Sequence, residues 1–64
     1  AGQVNLNEAD QSAAEELPGV GPVTAEKILA WRTEHGRFTS VDELKEVSGI
    51  GEKTFAEIAP HVTV

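Results

Sequence analysis

The sequence predicts an all-α domain of four main helices, in which one unit of helix, glycine-bracketed hairpin and helix occurs twice about a pseudo-two-fold axis. Three observations predict it. Leu17-Pro18-Gly19-Val20-Gly21-Pro22-Val23-Thr24-Ala25-Glu26-Lys27-Ile28 aligns, at an offset of 30 residues, with Val47-Ser48-Gly49-Ile50-Gly51-Glu52-Lys53-Thr54-Phe55-Ala56-Glu57-Ile58. Both glycines, the threonine and the isoleucine coincide, and the residue between the glycines is β-branched and apolar each time, which marks a duplicated unit. Second, each half carries helix start and stop signals on either side of its glycine pair. Third, 64 residues suffice for one domain only, and 39% apolar residues with three aromatics (Trp31, Phe38, Phe55) suit a compact helical fold rather than a disordered tail.

The elements follow in order. Ala1-Gly2-Gln3 reads as a linker remnant. Val4-Asn5-Leu6 and His61-Val62-Thr63-Val64 alternate as short extended pieces and are expected to lie beside one another, tying the termini down. Hairpin unit one covers about 7–35. Asn7 is its expected N-cap, Glu8 and Asp10 favour the positive end of the helix, and Ala9, Ala13, Ala14 and Leu17 form its apolar side. Pro22 opens the next helix, where its missing amide proton is no loss. Ala25, Ile28, Leu29 and Arg32 recur at helical spacing, and Gly36 stops the helix.

Arg37-Phe38-Thr39 joins the units, with Phe38 plugging the core between them. Hairpin unit two covers about 40–60. It opens on a capping box, Ser40 to Glu43, presents Leu44 and Val47 on one face, and stops at Ser48-Gly49 after about two turns. Its second helix runs from about Glu52 to Ala59 and is ended by Pro60. The expected core is Leu17, Val20, Ile28, Leu29, Phe38, Leu44, Val47, Ile50, Phe55 and Ile58.

Several function classes drop out. There is no cysteine, hence neither a disulfide nor a Cys/His zinc set. His35 and His61 have no ligand-spaced neighbours, and the carboxylates form no evident catalytic pair. No apolar run approaches the ~20 residues of a membrane span, and there is no signal-peptide pattern, so the domain itself is not membrane-inserted. No cofactor and no small-molecule substrate are expected. The net charge of −6, five Lys/Arg against eleven Asp/Glu, is unfavourable for a phosphate binder and must be outweighed locally.

The hairpins supply that local element. Glycines permit positive φ and the close approach of another backbone. The apolar residue between them turns inward and pins the turn to the core. The following helix then begins with unpaired amides pointing outward, at the positive end of its dipole, where a phosphate oxygen is attracted. Two such starts would meet both strands of a duplex or successive phosphates of one strand, and nothing reaches base edges, so binding indifferent to sequence is expected.

Lys53 in the first turn of a helix is misplaced for stability, which favours a phosphate contact. Lys27 either joins the same face or is a surface charge beside Glu26. Thr24 and Thr54 either donate to phosphate or cap local amides. Arg32 reads as an intradomain partner for a carboxylate. Trp31 reads as part of the core rim rather than a base-stacking platform. The roles of Arg37 and Lys45 stay open.

These motifs, with Gly36-x-Phe38, Val41-Asp42-Glu43-Leu44, the opening Val4-Asn5-Leu6-Asn7-x-Ala9 and the closing Val62-Thr63-Val64, resemble the C-terminal domain of the ComEA-type competence proteins. The resemblance spans nearly the whole chain. It implies a tandem helix-hairpin-helix (SAM-like) fold and a DNA receptor of natural transformation. Such a receptor is anchored in the membrane by a segment outside this chain and displayed beyond the cytoplasmic membrane. Its partners would be double-stranded DNA and other DNA-uptake proteins.

Related hairpins bound to DNA donate amides matching those of Gly19, Gly21 and Val23, and of Gly49, Gly51 and Lys53. They also hold a monovalent cation on carbonyls matching Glu15, Leu17 and Val20, or Lys45, Val47 and Ile50. Val23 stands where many DNA-binding hairpins carry a lysine.

Two other readings compete. Similar tandem hairpins occur in a photosystem II extrinsic subunit, so the same fold can serve as a protein–protein interaction module, and the acidic charge supports that alternative. Lys53 also lies where certain DNA glycosylase/lyases of the hairpin family place a catalytic lysine. Those enzymes need a downstream aspartate and a base-flipping pocket, which this short chain lacks, so no enzyme activity is expected.

Overall fold

The computed structural model describes residues 3–64. Of the expected linker remnant, Ala1 and Gly2 lie outside the described residues, while the Gln3 side chain donates to the Pro60 carbonyl at 3.3 Å. The two extended ends do lie together. β1 (Val4–Asn5) pairs in parallel with β2 (Val62–Thr63), Val4 opposite Val62, and Leu6 N donates to Thr63 O at 2.8 Å.

The first helix, α1 (Gln11–Glu15), corrects the expected cap. Asp10, not Asn7, accepts from Ala13 N, at 2.9 Å. Asn7 is engaged in a tight turn, in which Glu8 N and Ala9 N both donate to Asn5 O, and Glu8 therefore precedes the helix. Its side chain bridges 31 residues instead. Nδ2 donates to Phe38 O at 2.9 Å and Oδ1 accepts from Phe38 N at 2.6 Å. An amide side chain has both a donor and an acceptor, and here it satisfies the backbone of the buried linker residue.

α2 (Pro22–His35) starts at the expected proline and ends at Gly36, whose φ of 90° only glycine adopts readily. Ala25 and Ile28 are buried, but Leu29 is half-buried. With about 100° of turn per residue, the core-facing direction falls between Ala25 and Ile28, and Leu29 and Trp31 take the two flanks. Trp31 does form the core rim, stacked between His35 and Phe38 with centroids 4.0 and 4.6 Å away. Arg32 is an intradomain partner, though for carbonyls rather than a carboxylate. Its guanidinium donates to Leu6 O at 2.9 Å and Ala9 O at 2.8 Å.

The capping box at Ser40 and Glu43 is present, but it opens a 3-10 helix (Val41–Glu46) rather than an α-helix. The Glu43 carboxylate accepts from Thr39 N at 2.6 Å and Ser40 N at 3.1 Å. The hydrogen bond from Thr39 is the chief reason its pKa lies below the usual 4.5. α3 (Glu52–Ile58) stops one residue earlier than expected. Pro60 cannot donate the next helical bond, and the chain tightens into a 3-10 turn, Ala59–His61.

The duplication is visible in the backbone. Leu17 N→Ala14 O matches Val47 N→Leu44 O, Val20 N→Leu17 O matches Ile50 N→Val47 O, and Ala25 N→Gly21 O matches Phe55 N→Gly51 O. The matched side chains Ala14/Leu44, Leu17/Val47, Val20/Ile50 and Ile28/Ile58 are all buried, around a fully buried Phe38. Leu6, Ala9, Ala25 and Val62 join them beyond the expected set. Phe55 is half-buried, whereas its counterpart Ala25 is fully buried. The ring lies at the edge, with Lys45 Nζ 4.8 Å from its centroid.

Two stability predictions follow from this packing. Ile28→Ala should cost about 2–5 kcal/mol, enough to unfold much of the population of so small a domain, whereas Leu29→Ala should cost clearly less; chemical denaturation measures both. Because the Glu43 pKa is depressed on folding, its contribution is present above pH 4.5 and lost as pH falls through the lowered value. The melting-temperature gap between parent and Glu43→Gln should therefore be open at pH 7 and close on acidification below pH 4.5.

Candidate functional site

Each hairpin is a short turn closed by one bond, from Val20 N to Leu17 O or from Ile50 N to Val47 O, both 3.1 Å. Closing it requires φ of 75° at Gly19 and 97° at Gly49, where a side chain is strained. Val20 and Ile50 are buried beneath the turn and fix its depth.

The second glycine of each pair is different. Gly21 and Gly51 are extended, with φ of −98° and −92°, and a Cβ added to either would meet nothing within 4 Å. Neither conformation nor internal space requires glycine at these two positions. Beyond the preference for glycine over alanine at a helix N-cap, these positions leave room for the close approach of an outside group.

The amides around those glycines are free to receive one. Gly21 and Gly51 are the N-caps of α2 and α3, and neither helix has a side-chain cap. Among the described residues the amides of Gly19, Gly21 and Val23, and of Gly49, Gly51 and Lys53, donate to no protein group. All six residues are exposed. An uncapped helix start ordinarily fills these donors with water or a ligand.

The two hairpins lie side by side, each against the helix of the other unit. A Cβ at Gly19 would be 3.5 Å from Thr54 Cγ2 and 4.0 Å from Glu57 Oε1, and one at Gly49 would be 3.6 Å from Thr24 Oγ1. Thr24 and Thr54 are half-buried in this crossed contact and cap no local amide among the described residues. They are joints between the units.

Lys27 and Lys53 are exposed, and neither forms an ion pair among the described residues. Val23 is 65% exposed, an apolar side chain at the place its counterpart Lys53 fills with charge. Lys45 is drawn onto Phe55. Trp31 has His35 on one face and Phe38 on the other, which leaves no free face for a base. Sequence reasoning missed Glu57. The 30-residue register, which sets it opposite Lys27, was the signal that could have found it.

Comparison with known proteins places this geometry among relatives. A family model described as helix-hairpin-helix motif matches residues 1–63. The chain is 46% identical over 61 residues to ComE operon protein 1 of Bacillus subtilis, covering 95% of this chain and 30% of that protein. It is 40% identical over 53 residues to an uncharacterized protein of Haemophilus influenzae, covering 81% of this chain and 47% of that one. Protein tex of Bordetella pertussis is 36% identical over 56 residues, covering 88% of this chain and 7% of that protein. The chain thus spans less than half the length of each of these relatives.

The unlike roles of the paired glycines separate in stability measurements. Gly49→Ala places a side chain at a φ of 97° and should cost about 1–3 kcal/mol. Gly51→Ala should stay within about 1 kcal/mol of the parent, since a gain of about 0.4–1 kcal/mol from the unfolded state offsets a poorer N-cap. Equal losses at both positions would contradict the assignment.

Proposed function

The chain belongs to the helix-hairpin-helix family, and from that membership and the form of its two turns we propose that it binds DNA by the phosphate backbone, indifferent to base sequence. One observation carries the proposal. At both turns three exposed amides without a protein acceptor surround a glycine in extended conformation with open space where a Cβ would be. An anionic oxygen brought against Gly21 or Gly51 meets these donors with no Cβ in the way. Two adjacent clamps suit two backbone segments, and therefore duplex DNA.

The similarity to ComE operon protein 1 extends the reading to DNA uptake in natural transformation. In that role the domain would stand outside the cytoplasmic membrane, held by a segment beyond this chain and working beside other DNA-uptake proteins. Among the described residues no helix is long and apolar enough to cross a membrane.

The carbonyls of Glu15, Leu17 and Val20, and of Lys45, Val47 and Ile50, fit a monovalent cation. Leu17 O and Val47 O each accept one turn bond, and the other four accept no backbone bond among the described residues, which leaves lone pairs for a hard cation. Such a cation would add positive charge behind each turn. The proposal is one of binding alone. A Schiff-base lysine is activated by desolvation or a cationic neighbour, and Lys53 stands exposed at the surface.

The net charge of −6 and the exposed Val23 favour a second reading, a protein–protein interaction module on the same fold. A fluorescence-anisotropy titration with random-sequence duplex at several salt concentrations decides between them. Few side-chain cations face the ligand, so the expected dissociation constant is about 10⁻⁶–10⁻⁴ M with a shallow salt slope. Lys53→Ala should lower that slope by about 0.9 and weaken all sequences alike. Gly51→Val should abolish binding while the circular dichroism of the fold persists. A parent that ignores DNA at about 20 mM salt, or a Lys53→Ala variant that binds like the parent, hands the function to the protein-interaction reading.

A further inference from the structure

We infer that the two hairpins are electrically unequal: the second draws the polyanion in, and the Glu57 carboxylate holds it away from the first. This inference rests on the DNA-binding reading above. The 30-residue register sets Lys27 against Glu57, Val23 against Lys53 and Glu15 against Lys45. A comparison within the sequence hides the consequence, because in space each hairpin faces the opposite unit. Glu57 Oε1 lies 4.0 Å from the place a Gly19 Cβ would take, one turn of α3 beyond Thr54. Lys27 lies one turn of α2 beyond Thr24, which packs 3.6 Å from the corresponding place at Gly49. Glu57 therefore overlooks the first hairpin, and Lys27 the second.

The side chains around the two mouths then separate by sign. The first hairpin is flanked by Glu15 and Glu16 on its lead-in and by Glu57 across from it, with Val23 at its own helix start. The second has Lys45, Lys53 and Lys27 against Glu46 and Glu52. All three lysines of the chain gather at one hairpin. The amides of the two turns are equally free, so the difference between them is one of side-chain charge. Glu57 is exposed and pairs with no cation among the described residues, which leaves its charge turned toward whatever occupies Gly19.

The test is the same duplex titration at about 0.1 M salt, where the screening length is about 10 Å. In water a unit charge about 7 Å from a phosphate, screened over that length, alters binding about 1.6-fold. Glu57→Gln should bind about 1.6 times and Glu57→Lys about three times more tightly than the parent, the latter with a salt slope steeper by about 0.9. Lys27→Gln should bind about 1.6 times more weakly. Glu34→Lys makes the same change in net charge about 18 Å along α2 from its start, and should bind like the parent.

All three positions are exposed, and circular dichroism checks the fold of each variant. If Glu57→Lys binds like the parent, or Glu34→Lys gains as much, the asymmetry is overturned while the DNA-binding reading stands. If neither the parent nor Glu57→Lys binds, that reading falls and takes the asymmetry with it.

Discussion

Two hydrogen bonds constrain everything else, Val20 N to Leu17 O and Ile50 N to Val47 O. Each closes a turn so tight that the next residue to open a helix has no carbonyl behind it. The glycine inside the turn must take positive φ, and the β-branched residue must go inward. The amides just past the turn must then go without a protein partner. The same geometry that ends one helix and starts another thus manufactures a row of outward donors. On the proposed reading, structure and binding capacity are one feature. A turn relaxed enough to satisfy those amides internally would lose both the pinned residue and the clamp.

Neither unit could hold this shape alone. α1 has five residues and the 3-10 helix six, far below the length at which a helix persists unaided. Each is held by the buried residues at its end, Leu17 or Val47, and these reach a core that both halves share. Phe38 fills the space between the halves with no exposure at all. Burying a linker residue strands its backbone donor and acceptor, which is costly unless they are met. Asn7 meets both, from the far end of the chain. Arg32 does the same for the carbonyls of Leu6 and Ala9. The terminal β pairing closes the set, so the contacts that make two hairpins into one domain are polar as well as apolar.

What was legible in the sequence was whatever is local or repeated. Pro22, Gly36 and the Ser40–Glu43 box mark element ends through bonds made within a few residues, and all three lie where the sequence places them. The matched glycines disclosed the hairpins because duplication repeats the same constraint. The failures are tertiary. Asn7 has a good cap's chemistry, yet a partner 31 residues away claims it, and Asp10 serves instead. Arg32 was expected to seek a carboxylate and finds carbonyls left bare by the turn before α1. Phe55 looks like core by composition, but it is half-buried at the core edge, whereas its counterpart Ala25 is fully buried. At the site, the periodicity placed Thr24 and Thr54 beside their own helix starts. Only the crossed packing shows that each touches the opposite hairpin, and that crossing is what brings Glu57 into view.

The acidic charge and the proposed phosphate contacts are reconciled by distance. A carboxylate acts over a screening length of about 8–10 Å, while an amide donor acts only in contact. Contact donors belong to the backbone, and the backbones of the two units agree in the three matched bonds around each turn. The side chains at the mouths do not agree, as Val23 against Lys53 and Lys27 against Glu57 show. The duplicated backbone therefore repeats the same free amides at both turns, and on the proposed reading the unmatched side chains set how strongly each place would hold an anionic oxygen. Charge at the mouths can be altered without disturbing the fold, because Lys27, Lys53 and Glu57 are exposed and carry none of the core.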